Sequence, residues 1–367
     1  MTPVPTPPDL RALTTLRFLA ALWVVLYTAW PYLDVGFVPV AVTKGYLGVE
    51  AFFILSGFIL SHVYLEAVGE KRFRYGGFLW ARIARVYPLH LVTLFGMIAL
   101  GMAATVAGLS IDGSLTGWRA LPAHLTMTHA WGLAPSSAFN HPSWSISAEW
   151  FAYLLFPAFA WLALRFRARP WALLGTGAVA FVVFDALYVQ AFGKVLPRAE
   201  DSLGILRIVP EFLIGMALYA LGHRWRWSRP LAAATAMFAT LLLLGAMQLT
   251  LDDRIIVALC APVILTWSLL ARADCEGPLA VPALVFAGEA SFALYLVHMP
   301  VIIAFKGVVA ELRGIDSAFR ITPVELTGLF VVTALIAVAL HLLVEKPGRT
   351  WIRRRFEGHR TEPAAPD

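Results

Sequence analysis

Ten stretches of apolar residues, each close to the length of a bilayer crossing, constrain this chain more than any motif within it. They run near Leu13 to Leu33, Val49 to Leu65, Leu89 to Leu109, Ala148 to Leu164, Trp171 to Phe192, Leu206 to Leu221, Leu231 to Leu249, Ile255 to Leu270, Val281 to Phe305 and Pro323 to Val344. A spanning helix needs about 20 mostly apolar residues, and in lipid every backbone N–H and C=O must be satisfied within the segment. Of the 367 residues, 59% are hydrophobic and only 14% charged, whereas a soluble surface needs about 25% charged residues. The fold class is therefore all-α, a polytopic transmembrane bundle of about ten helices. This composition excludes a disordered chain, and two cysteines exclude a disulfide-stapled scaffold. Cys260 falls in the eighth run and Cys275 in a break, so two unpaired thiols are expected.

Basic residues alternate between the breaks. Arg11 precedes the first run; Lys71, Arg72, Arg74, Arg82 and Arg85 follow the second; Arg165, Arg167 and Arg169 the fourth; Arg224, Arg226 and Arg229 the sixth; Arg272 the eighth; and Arg349, Arg353, Arg354 and Arg355 close the chain. The other breaks are poor in them. Short cytoplasmic loops are enriched in Lys and Arg, so both termini are expected in the cytoplasm, and the +6 net charge points to topology rather than to nucleic acid. The organisation read from the sequence is a cytoplasmic N-terminal segment 1–12, one transmembrane domain 13–348 and a basic cytoplasmic tail 349–367. Arg17 inside the first run, with no small-residue cleavage site after it, marks a retained helix rather than a signal peptide.

Charged groups within spanning segments cost at least about 2.5 to 3.5 kcal/mol each near the bilayer centre, so each asks for a partner or a function. They are Arg17, Glu50, Glu149, Arg207, Glu211, His298 and Glu345. Glu50 and Glu345 sit near helix ends, where the dipole or snorkelling suffices. Arg207 and Glu211, four residues apart, can pair on one helix face. Glu149 and His298, on different helices, have the chemistry of an acid-base pair, although a satisfied core histidine is the commoner case. Arg82 and Arg85 are neighbours on adjacent helical turns, and with Arg72 and Arg74 they form a cationic cluster that suits either anionic lipid or the phosphates of a nucleotide-like donor.

Taken together these residues resemble the integral-membrane acyltransferase type three family, also called acyltransferase family 3. The blocks occur in family order: Leu16-Arg17-Phe18-Leu19-Ala20-Ala21; Gly48-Val49-Glu50 through Ser56-Gly57-Phe58; Arg82-x-x-Arg85 with Tyr87-Pro88; Trp144-Ser145-Ile146-Ser147-Ala148-Glu149 with Tyr153; Pro210-Glu211-Phe212-Leu213-Ile214-Gly215; Ser291-Phe292 through Tyr295-Leu296-x-His298-x-Pro300; and Glu345-Lys346-Pro347. The resemblance implies an O-acyltransferase of the bacterial cytoplasmic (inner) membrane. It would move an acyl group, acetyl foremost, from cytoplasmic acyl-CoA to a hydroxyl of a carbohydrate or envelope polysaccharide on the outer side. Acyl-CoA is then a donor substrate; no permanently held cofactor, no metal and no nucleic acid is implied.

By that resemblance Arg82, Arg85, Arg72 and Arg74 would hold the donor, and Trp144, Ser145, Ser56, Arg207, Glu211, Tyr295 and His141 would line the acceptor's path. Arg17, Glu149 and His298 would serve the chemistry. The family also carries a histidine in helix one, separated from the Arg by ten residues. Here that position is Thr28, flanked by Tyr27 and Ala29, and a threonine cannot exchange a proton near neutral pH as imidazole does. Two outcomes follow: slow transfer that Thr28→His restores, which is the favoured one, or a base role taken over by His298. The alternative function is a membrane carrier or sensor of an acyl or glycan intermediate without transfer activity.

Overall fold

A computed structural model describes residues 9–106, 108, 117–134, 138–315 and 319–357. The first eight residues and the tail beyond residue 357, which belong to the expected terminal segments, lie outside the described residues, as do parts of the connections after the third and ninth runs. The helices are α1 (Arg11–Ala29), α2 (Gly48–Leu60), α3 (Tyr75–Val106), α4 (Trp144–Leu154), α5 (Phe156–Arg165), α6 (Pro170–Phe192), α7 (Ile205–Gly222), α8 (Arg229–Gln248), α9 (Asp253–Arg272), α10 (Pro282–Glu289), α11 (Ser291–Arg313), α12 (Pro323–Leu340) and α13 (Lys346–Glu357). Among the described residues, nine helical segments are long and apolar enough to span a membrane, or ten when the bent pair α4 and α5 is taken as one span. The expected all-α bundle is what the chain forms.

Three departures from the apolar runs have physical causes. The third helix starts fourteen residues before its apolar run, at Tyr75, because the basic segment carrying Arg82 and Arg85 is itself helical and continues through Pro88. The fourth run bends by 59° at Leu155, two residues before Pro157, which has no N–H to offer the carbonyl of Tyr153. The ninth run is two helices, broken at Ala290. Near that break a side chain at Gly288 would collide with the carbonyl of Thr14, so α10 rides directly on α1.

The tightest crossing is α2 on α7. A Cβ at Gly215 would overlap the carbonyl oxygen of Ile54, and one at Gly57 that of Phe212, so the two backbones touch; small residues at such crossings are how helices pack without a hydrophobic drive in lipid. The outward flanks of α6, α8 and α12 leave Val179, Val182, Phe238, Leu241, Val331 and Leu335 exposed, as a lipid-facing surface requires. Ion pairs tie the bundle at both ends. At one end Lys346 meets Glu289 and Arg229 meets Asp274. At the other Lys44 and Arg198 share Asp253, and Arg254 meets Asp185. The first turn of α1 lines one cavity with Glu289, so α1 begins at the end where α13 lies.

Candidate active site

Helical periodicity aims one face of each of five helices at an interior cavity of about 110 Å³. From α2 come Val49, Phe52, Phe53, Ser56 and Leu60; from α4 Ser145, Ile146, Glu149 and Tyr153; from α3 Arg82, Arg85 and Val86; from α11 Phe292 and Tyr295; and from α1 Arg17. These spacings of three and four residues are what keeps side chains on one face of a helix. The wall is apolar except for three guanidiniums, one carboxylate and the hydroxyls of Ser56, Ser145, Tyr153 and Tyr295.

The polar groups are fixed by one another. Ser56 donates to Oε1 of Glu149 at 2.6 Å, joining α2 to α4 across the cavity. Arg82 donates to the Tyr64 hydroxyl at 3.2 Å. Its guanidinium also lies 5.5 to 5.8 Å from the rings of Tyr64, Phe78 and Tyr153, an aromatic cage that holds a cation without neutralising it. Arg82 Nε is buried with no hydrogen-bond partner among the described residues. Arg17 feels the charges of Arg85, Glu149 and Glu345. Three positive groups against one carboxylate leave the cavity a net electropositive site for an anionic ligand.

A second, wider cavity of about 570 Å³ opens at the end where α1 begins, lined among others by Asp9, Arg11, His62, Phe286 and Glu289. Arg17 and Ile59 belong to the linings of both cavities. These two residues stand between the cavities.

Of the residues singled out from the sequence, the cavity brings together Arg17, Arg82, Arg85, Ser56, Ser145, Glu149 and Tyr295. Others lie elsewhere. Arg72 and Arg74 are exposed, and Arg72 donates to the carboxylate of Glu70 in its own loop at 2.7 Å. Thr28 shares the α1 face of Arg17, but buried Ala21 and Val24 stand between them, and its hydroxyl donates to Val24 O at 3.0 Å. The expected pairing of His298 with Glu149 does not form: His298 is 1% exposed and its Nδ1 donates to Tyr295 O at 2.5 Å, while Glu149 is held by Ser56. The i,i+4 pairing of Arg207 with Glu211 is likewise corrected. Arg207 reaches from α7 to α2, where Nε and Nη2 donate to Oε1 of Glu50 at 3.1 and 2.6 Å. Glu50 is therefore not a snorkelling end residue but fully buried, since α7 covers the first turn of α2. Trp144 stacks on the Arg207 guanidinium at 4.5 Å and meets Phe53 edge-on, supporting the cavity from behind. Glu345 is also a core residue, paired with His341 at 2.7 Å.

Two groupings were not foreseen. His90, His124 and His129 stack against one another beneath the long connection before α4, the last two with ring centroids 3.9 Å apart. His141 pairs with Glu200 at 3.0 Å, with Asp201 at 3.8 Å. Their partners lie on different segments, which sequence spacing does not reveal; the run of histidines in the connection was the one visible signal. Among the described residues no three His, Cys, Asp or Glu side chains gather as a metal site.

Fold and site thus define a polytopic membrane protein with an electropositive internal cavity. The chain belongs to the membrane acyltransferase family whose description is "Acyltransferase domain", which matches residues 10–342. It is 30% identical over 349 residues to acyltransferase MdmB of Streptomyces mycarofaciens, covering 89% of this chain and 85% of that protein. It is 25% identical over 318 residues to the exopolysaccharide production protein ExoZ of Rhizobium meliloti, covering 83% of this chain and 90% of that one. A Caenorhabditis elegans protein, regulator of hypoxia-inducible factor 1, is 30% identical over 151 residues, or 40% of this chain and 29% of its own length. No solved structure matches the chain significantly.

Proposed function

We propose that the protein takes an acyl group, acetyl foremost, from acyl-CoA and places it on a hydroxyl of a carbohydrate or envelope polysaccharide, from within a bacterial inner membrane. The observation that carries this reading is a pair of neighbouring cavities that share Arg17, with Arg82 and Arg85 in the wall of the inner one. A nucleotide thioester is a polyanion with a long neutral arm, and this pair offers guanidiniums for the phosphates and an apolar wall for the arm. The basic loops at that end support a cytoplasmic position for the wide mouth, on the side where acyl-CoA is present. Glu149, anchored by Ser56, lies where the arm ends. The name of ExoZ, a protein of exopolysaccharide production, supports a glycan acceptor.

The test is acetyl-CoA binding by the detergent-purified protein at about 0.1 M salt. Losing two charge-assisted contacts of about 1.5 kcal/mol or more each lowers affinity by roughly 100-fold, so Arg82→Gln/Arg85→Gln is expected to bind at least tenfold more weakly, with an unchanged melting midpoint. Equal affinity would make the pair a lipid anchor and sink the reading.

A further inference from the structure

Transfer to a sugar hydroxyl needs a group that takes the hydroxyl proton, and α1 offers only Thr28, whose own proton is committed to Val24 O. Six other imidazoles among the described residues are poorly placed. His298 is enclosed; His90, His124 and His129 are 1 to 2% exposed within their stack; His341 is closed against Glu345; His62 lines the wider cavity. His141 differs from all of these. Its Nε2 is 3.0 Å from Oε2 of Glu200 and 3.8 Å from Oδ2 of Asp201, and its side chain is 41% exposed. One helical turn later, Ser145 lines the cavity, and Tyr295, which also lines it, lies against Ser145 and within electrostatic reach of Glu200. His298 senses the charge of His141 from the far side. The Ser145 hydroxyl donates to the carbonyl of Pro142, next to His141, so His141 stands beside the Ser145–Tyr295 side of the chamber.

We propose that His141, oriented by Glu200, is the general base that activates the acceptor hydroxyl. This rests on the acyl-transfer reading above. With its Nε2–H donated to Glu200, the imidazole keeps Nδ1 as a free acceptor, the arrangement in which a carboxylate fixes the tautomer of a base. Nδ1 takes the proton of the acceptor hydroxyl as its oxygen attacks the thioester carbonyl carbon. The new C–O bond forms and the C–S bond breaks. The thiolate of CoA leaves and takes that proton from the imidazolium, which returns the base to its neutral form. One ester and one thiol replace one thioester and one alcohol.

A base of this kind contributes about 10² to 10⁴ in rate. The experiment uses the full-length protein in nanodiscs, with acetyl-CoA as donor and a mixture of methyl glycosides as acceptor. Donor binding is measured by calorimetry and turnover by release of the CoA thiol across pH 5 to 9. The expected result is that His141→Gln binds acetyl-CoA as the parent does but releases thiol at least 100-fold more slowly. Glu200→Gln is expected to keep part of the activity with the acid limb of its profile moved to lower pH, because the carboxylate that favours the imidazolium is gone; a merely structural role would not move that limb. Turnover within threefold of the parent in His141→Gln overturns the base assignment. So does a parent that binds acetyl-CoA without turning it over. Failure of the parent to bind acetyl-CoA overturns the acyl-transfer reading itself.

Discussion

At the scale of single residues the most constrained group is Arg207, 1% exposed and held between Glu50, Ala199 O and the face of Trp144. A guanidinium in this position is tolerated only because every edge of it is occupied, and removing it leaves the buried carboxyl groups of Glu50 and Glu211 side by side with no cation. Breaking a buried pair from one side costs about 3 to 5 kcal/mol. Arg207→Met is therefore expected to lower the melting midpoint in detergent sharply, and the added change Glu50→Gln to recover part of the loss. A single variant as stable as the parent would mean that the pair carries no structural weight. The sequence displayed both residues but suggested the wrong partner, since the i,i+4 spacing of Arg207 and Glu211 is a local signal and the choice of helix facing α7 is not. Arg82 and Arg85 were legible for the opposite reason: their chemistry and their shared face both lie within one helical turn.

At the scale of elements, the long connection before α4 is fastened by stacked imidazoles. Burial pushes the His124 side chain down to about 4, and burial, then the neighbouring His124 and His90, push His129 down as well. An imidazole whose folded pKa lies below its unfolded value of about 6.5 binds fewer protons when folded, so its share of stability is present above pH 6.5 and is lost as pH falls from there towards 4. Limited proteolysis of the connection is expected to accelerate across that window and to lose most of its pH dependence in His124→Gln. A rate that does not change between pH 7 and 4.5 would contradict this. The apolar runs made the spans visible, because length and composition suffice for a span. They concealed the break at Ala290, where Gly288, Glu289 and Ser291 interrupt the run and Gly288 packs on Thr14 of another helix. They also hid the helical start of α3, whose first turns are too basic to register as a span.

For the whole molecule, the account is a route that begins at a wide cavity beside the first turn of α1, passes Arg17 and Ile59, and ends in a chamber walled by α2, α3, α4 and α11. The family's order of blocks made most of the chamber's residues recognisable before any fold was known. What the blocks did not carry was the pairing of Ser56 with Glu149 and of His141 with Glu200, both formed between segments far apart in the chain. The central claim is that a nucleotide thioester occupies this route, and the most direct measurement is an electron-microscopy map of the protein in nanodiscs with CoA bound. The expected map places the phosphates within hydrogen-bond distance of Arg82 and Arg85 and the thiol arm running from there towards Glu149. CoA density confined to the bundle's surface, with the chamber between Arg82 and Glu149 empty, would contradict it.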